Sequence, residues 1–282
     1  MTRITYYNGE FGDFRDIKIP LTDRSIFFGD AIYDAAVGKD GNIYLEDRHI
    51  ERFFSNAKKL NIPINISKSE LSRLLHEVAD KSGFAEYFIY FQLSRFSEER
   101  IHSYTECNKS NLLITVKEHK TKPIYETVRL ISEEDIRYGM CDIKTVNLLP
   151  AVLASKRAET AGCDECVFYK GNTVTECAHS NIFIVKDGEV FTHPLTNRIL
   201  PGITRGRVLE FCRELDIPCY EEEFSLSDML SSDEVLISST SKLLRRVSEI
   251  DGKTLKSSSI CTGCILIEKI FGDYNQCAKK DL

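Results

Sequence analysis

Lys144 lies in the run Cys141-Asp142-Ile143-Lys144-Thr145-Val146, and further along Glu176 closes the run Asn172-Thr173-Val174-Thr175-Glu176. A lysine carried into a site among apolar residues can form a Schiff base with a carbonyl. A carboxylate is what the ring nitrogen of pyridoxal 5'-phosphate (PLP) requires as a partner. Read as a pair, the two residues point to a cofactor enzyme whose lysine holds the cofactor. Taken singly, neither is diagnostic. An isolated lysine is usually a solvated surface residue, and many strands end in a carboxylate.

Other segments could bind an anion. Pro201-Gly202-Ile203-Thr204-Arg205 precedes a predicted helix. Such a turn offers backbone N–H groups and a hydroxyl at the positive end of the helix dipole. The alternative is a plain N-cap by Thr204. Ser239-Thr240-Ser241 follows a predicted strand and is a second hydroxyl-rich candidate, or a polar turn. Arg52, in the predicted helix after His49-Ile50-Glu51, could supply charge; by itself it reads as a surface arginine. Arg100-Ile101-His102 presents a planar guanidinium fork and an imidazole donor, which together suit a carboxylate. The alternative there is a solvated loop. Tyr33, in Phe28-Gly29-Asp30-Ala31-Ile32-Tyr33-Asp34, either offers a phenol to a site or packs.

The elements that must position these residues belong to a globular chain of 282 residues, 42% hydrophobic and 28% charged. That length suits one large domain or two ordinary ones. The net charge of −6 gives no electrostatic case for nucleic acid or for an anionic membrane surface. No apolar run reaches the roughly 18 residues of a membrane span. The N-terminal run Met1-Thr2-Arg3-Ile4-Thr5-Tyr6-Tyr7 has no apolar core of a secretory signal, so a cytoplasmic protein is expected. Ten cysteines include the Cys-x-x-Cys pairs Cys163/Cys166 and Cys261/Cys264. The pairs are too far apart along the chain for the usual structural zinc spacing. Free thiols acting as small hydrophobes are the expectation.

Periodicity predicts a strand at Ile4–Tyr7 with a turn at Asn8-Gly9, and a hairpin about Gly38–Asn42. Helical spacing runs from Glu46 to Leu60 and from Ser69 to Ser82, with Ser67 or Ser69 as cap and Gly83 as stop. Strands are predicted at Phe84–Leu93 and Leu112–Val116. The polar run Lys117-Glu118-His119-Lys120-Thr121-Lys122-Pro123 reads as an interdomain linker. The division is therefore an N-terminal α+β domain over 1–118, a linker over 119–123 and a cofactor domain over 124–282. In the second part, strands are predicted at Thr127–Ser132 and Asp233–Ser238, helices at Leu148–Ala161 and Thr204–Leu215, and hairpins about Gly171 and Gly188. Several antiparallel-looking strands in each half argue for an α+β class.

Taken together these segments resemble the fold-type IV PLP-dependent aminotransferases. The resemblance runs from about Tyr6 to Gly252. It rests on Asp23-Arg24-Ser25-Ile26-Phe27-Phe28-Gly29-Asp30, His49-Ile50-Glu51-Arg52, Cys141-Asp142-Ile143-Lys144, Asn172–Glu176 with Ser180-Asn181-Ile182-Phe183, and Leu200-Pro201-Gly202-Ile203-Thr204-Arg205. It implies a smaller N-terminal α/β sandwich and a larger C-terminal pseudo-barrel. It implies that Lys144 is the Schiff-base lysine and shuttles the proton. Glu176 would keep the ring nitrogen protonated. Arg52, Ile203, Thr204 and Thr240 would hold the phosphate, with Ser239 or Ser241 nearby, Leu200 against the ring face and Tyr33 beside the substrate.

Within that family, Ser94–His102 is similar to the D-amino acid branch. There an Arg-x-His pair, matched by Arg100 and His102 together with Tyr33, traps the substrate carboxylate. The pair comes from the neighbouring subunit, which implies a homodimer. The implied reaction is ping-pong transamination of D-alanine and 2-oxoglutarate to pyruvate and D-glutamate. Alternatives are a branched-chain L-amino acid aminotransferase or an (R)-selective amine transaminase of the same fold. Outside that class stands a PLP- or zinc-binding protein without turnover. Three stretches depart from the pattern: Phe96 where glycine is usual, Cys177-Ala178-His179 in place of a serine-rich stretch, and a smaller Asp34-Ala35-Ala36-Val37.

Overall fold

The computed structural model describes residues 3–255 and 261–277. By packing, the described residues form two compact units. One comprises residues 3–120, 143–147 and 276–277; the other comprises the remainder. The elements are mixed helix and strand in both, the α+β class that the antiparallel-looking strands in each half predict.

The first unit holds β1 (Ile4–Tyr7), β2 (Glu10–Asp13), α1 (Arg24–Phe28), β3 (Ala31–Lys39), β4 (Asn42–Ile43), α2 (Glu46–Lys59), α3 (Lys68–Ser82), β5 (Glu86–Ser94) and β6 (Asn111–Glu118). The strands form one sheet in the order β2-β1-β6-β5-β3-β4. Every pairing in it is antiparallel. Period-two alternation on β5 turns Tyr87, Ile89, Phe91 and Leu93 into the core. Ile50, Phe53 and Ala57 of α2, with Leu71, Leu74, Leu75 and Val78 of α3, join them. Both helices present these apolar residues at helical spacing, which is why they were legible from periodicity. Ser67 caps α3 reciprocally with Glu70, and Gly83 ends it in the left-handed conformation.

The short segment 143–147, around Lys144, packs with this unit although it follows β6 by many residues. Thr145 bridges Ile32 of β3, and the Tyr33 N–H donates to the Lys144 carbonyl at 2.9 Å. Linear order places the segment in the second part of the chain; backbone hydrogen bonding to β3 places it in the first unit.

The second unit holds β7 (Val128–Glu134), α4 (Leu149–Thr160), β8 (Glu165–Lys170), β9 (Thr173–Cys177), β10 (Asn181–Lys186), β11 (Glu189–Thr192), α5 (Ile203–Glu214), β12 (Cys219–Glu221), α6 (Leu226–Ser231), β13 (Glu234–Ser239), β14 (Leu243–Ile250), β15 (Lys253–Thr254) and α7 (Thr262–Cys277). The sheet order is β12-β11-β10-β13-β14-β7-β8-β9, with β15 on β14. It curls until β9 comes alongside β10, giving the pseudo-barrel. The hairpins about Gly171 and Gly188 form as predicted. The β7–β8, β14–β7 and β11–β12 pairs are parallel, because helices or long connections intervene between those strands. Val128, Leu130, Val167, Val174, Ile182, Ile184, Val235 and Ile237 fill the core.

Helix α7 was not anticipated, since residues after Gly252 carry no matching pattern. Its buried Leu266, Ile267, Ile270, Phe271 and Tyr274 nevertheless form a helical stripe. The free-thiol expectation holds for Cys163/Cys166 and fails for Cys261/Cys264, which are joined in a disulfide. Cys261 and Cys264 lie on one helical turn with Cα atoms 5.1 Å apart, within bonding reach. Cys163 precedes strand β8 and Cys166 lies inside it, an extended backbone that offers no such approach. Among the described residues no helix is long and apolar enough to cross a membrane, and no group of three or more His, Cys, Asp or Glu could hold a metal ion.

Gly38 of β3 lies directly against a buried tyrosine: a Cβ there would meet the Tyr87 ring at 2.3 Å. Overpacking of this kind costs about 1–3 kcal/mol. Gly38→Ala is therefore expected to lower the urea midpoint with an unchanged m-value. An unchanged midpoint would show that the ring moves aside freely.

Candidate active site

In the first unit, the backbone bond between Tyr33 and Lys144 holds the lysine beside β3. The Lys144 Nζ lies 4.6 Å from the centre of the Tyr33 ring. That ring is stacked on Tyr90 at 5.2 Å, and the Tyr90 hydroxyl donates to Gln92 at 2.7 Å. Tyr33 is thus braced from the neighbouring strand, and the lysine amine sits over the face of a fixed phenol ring.

Next to Tyr33, Asp34 is fully buried. Its carboxylate accepts from Arg52 Nε and Nη2, each at 2.8 Å, and from His49 Nδ1 at 2.8 Å. Arg52 and His49 lie on the first turns of α2, three residues apart, so both reach the same point on β3. Burial by itself would raise the Asp34 carboxyl. Arg52 and His49 outweigh it and hold the group well below the usual carboxylate range. Burial pushes the His49 imidazole down, against the pull of Asp34, and the charges of Arg52 and Lys144 push the same way. The neutral imidazole therefore donates from Nδ1. Arg52 was singled out from sequence, but Asp34 and His49 were not assigned to it. The signal was a charged residue in the middle of an otherwise apolar strand, Ala31–Val37.

Arg100 and His102 are exposed, yet their loop is anchored from inside. The buried Arg24 donates through Nη1 to the Ile101 carbonyl at 2.7 Å and to Glu98 at 2.6 Å. It also donates through Nη2 to the His102 carbonyl at 3.2 Å and through Nε to Asp30 at 2.9 Å. The same Asp30 oxygen accepts from Arg95 Nε at 2.9 Å. Burial would raise the Asp30 carboxyl, but the two arginines lower it. The Phe28 ring meets the Arg24 guanidinium at 4.7 Å, the Arg100 guanidinium at 5.4 Å and the His102 ring at 5.3 Å. Arg24, Phe28 and Asp30 all fall in the motif that begins at Asp23, whose purpose was not legible before the loop was seen resting on it.

In the second unit, Glu176 is the penultimate residue of β9, with its carboxylate buried. Arg137 Nη1 donates to Oε1 at 2.6 Å, while Asn181 Nδ2 and the Leu200 N–H donate to Oε2 at 2.9 and 3.0 Å. Arg137 is gripped in turn by Asp135, which accepts from Nε at 3.0 Å and Nη2 at 2.8 Å. Asn181 also donates to the Leu200 carbonyl at 2.9 Å. The side chain of Asn181 thus ties Glu176 to the turn before α5. Neither Arg137 nor Asn181 was picked out as a site residue.

Gly202 is the N-cap of α5, and no side-chain cap bonds the helix start. The expected alternative of a cap by Thr204 is not what forms, because Thr204 already lies inside the first turn. A Cβ on Gly202 would meet Asn181 Oδ1 at 1.9 Å, so the close approach of this turn to β10 requires glycine. Ile203 and Thr204 therefore present N–H groups at the positive end of a twelve-residue helix. Ser239 ends β13 and Thr240 and Ser241 form the turn to β14, where Ser239 Oγ accepts from the Lys242 N–H at 3.3 Å. His179, the departure after Glu176, is held by the buried Glu165, which also accepts from Ser180 at 2.9 Å and Lys242 at 2.6 Å.

In the first unit the fold thus gathers Lys144 with Tyr33, and Arg52 with Asp34 on the next residue of the same strand. In the second it gathers Glu176 with Leu200 and the start of α5. Arg100 and His102 form a separate, outward-facing group in the first unit.

Asp34 ionises in the folded protein below its unfolded value. Its contribution to stability is complete above about pH 4 and is lost as pH falls through the folded value. His49 is held neutral, so its contribution is complete above about pH 6.5 and is lost as pH falls towards its lower folded value. The stability gap between the wild-type protein and His49→Gln is expected to narrow from about pH 7.5 to about pH 5, by at most about 1.4 kcal/mol per pH unit. Urea unfolding at the two pH values measures it. A gap that widens on acidification would overturn the neutral assignment.

The chain matches the family model for amino-transferase class IV over residues 31–250. It is 34% identical over 279 residues to the D-alanine aminotransferase of Staphylococcus epidermidis, an alignment spanning 98% of this chain and 99% of that protein. Its fold is similar to that of the Escherichia coli branched-chain amino acid aminotransferase, with a TM-score of 0.88, 21% identity, and coverage of 96% of this chain and 94% of that one. It is also similar to the T.th. branched-chain amino acid aminotransferase complexed with N-(5'-phosphopyridoxyl)-L-glutamate, with a TM-score of 0.86, 20% identity, and coverage of 98% and 97%.

Proposed function

The chain belongs to the class IV aminotransferases, and from that premise we propose that it transaminates D-amino acids, converting D-alanine and 2-oxoglutarate to pyruvate and D-glutamate. PLP is the cofactor of this family. The donor set suits it: a lysine amine beside a fixed ring, a buried carboxylate, and an uncapped helix start able to receive a phosphate. When bound, PLP supplies an aldehyde that takes up an amine and a ring that withdraws electrons from the substrate Cα.

The residues then divide the work. Lys144 is the attachment point, and its amine takes the proton from the substrate Cα and returns it. Glu176 would pair with the ring nitrogen, its carboxylate fixed in place by Arg137, Asn181 and the Leu200 N–H. Arg52, Ile203, Thr204, Ser239 and Thr240 would hold the phosphate, and Leu200 would pack on the ring. Arg52 arrives already oriented by its bidentate bond to Asp34, so little side-chain freedom is lost on binding.

The preference for D-amino acids rests on Arg100, His102 and Tyr33, which bind the substrate carboxylate. The observation that carries it is the anchoring of the Arg100–His102 loop by Arg24 and Phe28. A loop held through its own carbonyls presents a guanidinium and an imidazole in a fixed spacing, which a solvated loop does not. Its outward-facing side chains suit a homodimer in which the pair serves the neighbouring subunit. Which face of Cα meets Lys144 then follows from where the carboxylate is clamped. The relatives named D-alanine aminotransferase support the same reading.

The test is oxo-acid release from D- and L-alanine, and from D- and L-leucine, with 2-oxoglutarate as acceptor. D-Alanine turnover should exceed L-alanine turnover by orders of magnitude. Lys144→Ala should abolish it. Arg100→Ala should raise the KM for D-alanine by about tenfold or more, the loss expected for a charge-assisted contact. Preferential turnover of L-leucine would replace the D-amino acid assignment and leave the family intact.

A further inference from the structure

Helix α7 begins directly after Cys261. The Cys261 carbonyl accepts the N–H of Ile265 at 3.2 Å, which makes Cys261 the N-cap residue. Cys264 completes the first turn, and the two cysteines are joined in a disulfide. Both are partly accessible, whereas Thr262 and Gly263 between them are buried. Beneath them lies Glu234, the first residue of β13, whose side chain is fully buried. Its Oε1 accepts the Gly263 N–H at 3.0 Å, and its Oε2 accepts from Arg246 at 2.6 Å. The Cys261 Sγ lies 4.0 Å from that same Oε2. A Cβ on Gly263 would come within 2.6 Å of it, so only glycine lets the turn settle onto the carboxylate.

A bonded Cys-x-x-Cys on the first turn of a sixteen-residue helix, with a buried carboxylate against the N-terminal sulfur, is more than a brace between residues three apart. Linking such near neighbours closes a very small loop and constrains the unfolded chain little. The helix start stabilises the negative charge that develops on Cys261 as the bond breaks. Glu234, balanced by Arg246, is an acceptor for the Cys261 thiol proton. The other Cys-x-x-Cys pair lacks every one of these features: Cys166 is fully buried in β8, and burial pushes its thiol well up.

We propose that Cys261 and Cys264 form a thiol–disulfide exchange site, open to a small thiol or a dithiol reductant. In the reductive direction a reductant thiolate attacks Cys264 Sγ and forms a mixed disulfide. The Cys261–Cys264 bond breaks, and its electron pair leaves on Cys261, which takes a proton from water and donates it to Glu234 Oε2 as a hydrogen bond. A second reductant thiolate then attacks the reductant sulfur of the mixed disulfide. That step releases Cys264, which is protonated, and produces the oxidised reductant. Two electrons pass from two reductant thiols to the pair. In the oxidative direction Glu234 receives the Cys261 proton as the bond reforms.

The test uses the full chain equilibrated with mixtures of reduced and oxidised glutathione, followed by acid quench, differential alkylation and peptide mass spectrometry. Cys261 and Cys264 should convert together in one two-electron transition, while Cys166, Cys177 and Cys212 remain thiols throughout. Cys261→Ser should leave Cys264 carrying one glutathione after treatment with oxidised glutathione. Glu234→Gln should slow reoxidation about tenfold or more, the effect of removing a positioned proton acceptor; the Cys261→Ser result stands whether or not that variant folds. A pair that stays oxidised across all mixtures, a pair that stays reduced across all of them, or a Cys264 that takes up no glutathione in Cys261→Ser would each overturn the proposal. None of these readouts depends on transamination.

Discussion

The bond from the Tyr33 N–H to the Lys144 carbonyl is the interaction on which the first unit's chemistry depends. Lys144 stands on a segment with no secondary structure of its own beyond a single bridge to β3. A lysine on such a segment would otherwise sample many positions, with a backbone entropy of about 1–2 kcal/mol to be lost on ordering. Pinning its backbone to β3, next to a phenol ring stacked on Tyr90, removes most of that freedom before any ligand arrives. The same strand then carries Asp34, which fixes Arg52 and His49. One strand thus sets the position of an amine, a ring and a guanidinium.

A second constraint recurs: five buried or half-buried carboxylates are met by a cation. Asp34 meets Arg52, Asp30 meets Arg24 and Arg95, Glu176 meets Arg137, Glu165 meets Lys242, and Glu234 meets Arg246. Such pairs add little net stability, because desolvation offsets the attraction. Removing one partner leaves a buried charge, which is far worse. Their effect is to allow one arrangement and penalise others. At Asp34, Asp30 and Glu176 the arrangement so specified is that of the Arg52 guanidinium, the Arg100–His102 loop and a carboxylate at the end of β9.

Much of this was legible in the chain itself where local patterns coincide with final environments. Helices α2 and α3 read clearly because their apolar residues recur at helical spacing and Ser67 and Gly83 mark one helix's ends. The hairpins at Gly171 and Gly188 read clearly because a turn with positive φ separates two apolar runs. Helix α7 did not, because a stripe of buried residues preceded by an unpatterned stretch looks like any apolar segment until its partner surface is known. The disulfide was misjudged for a related reason. Cys-x-x-Cys spacing is identical at both pairs, and only the helical backbone at one of them brings the sulfurs together.

Residue type and spacing pointed to a lysine-held cofactor, and the resemblance those segments carry to the fold-type IV aminotransferases implied the reaction class. A lysine, a downstream glutamate, a helix start with Gly-Ile-Thr and an Arg-x-His pair are chemical identities, and no folding alters them. Tertiary structure alone decided which groups orient these. Arg137 and Asn181 on Glu176, Asp34 on Arg52, and Arg24 beneath the Arg100–His102 loop are mostly far away in sequence from what they hold. Hydrogen bonds form between atoms about 3 Å apart in space whatever their separation along the chain, so no one-dimensional pattern records them. The sequence names the groups that react, and the packing of strands and helices names the groups that hold them still.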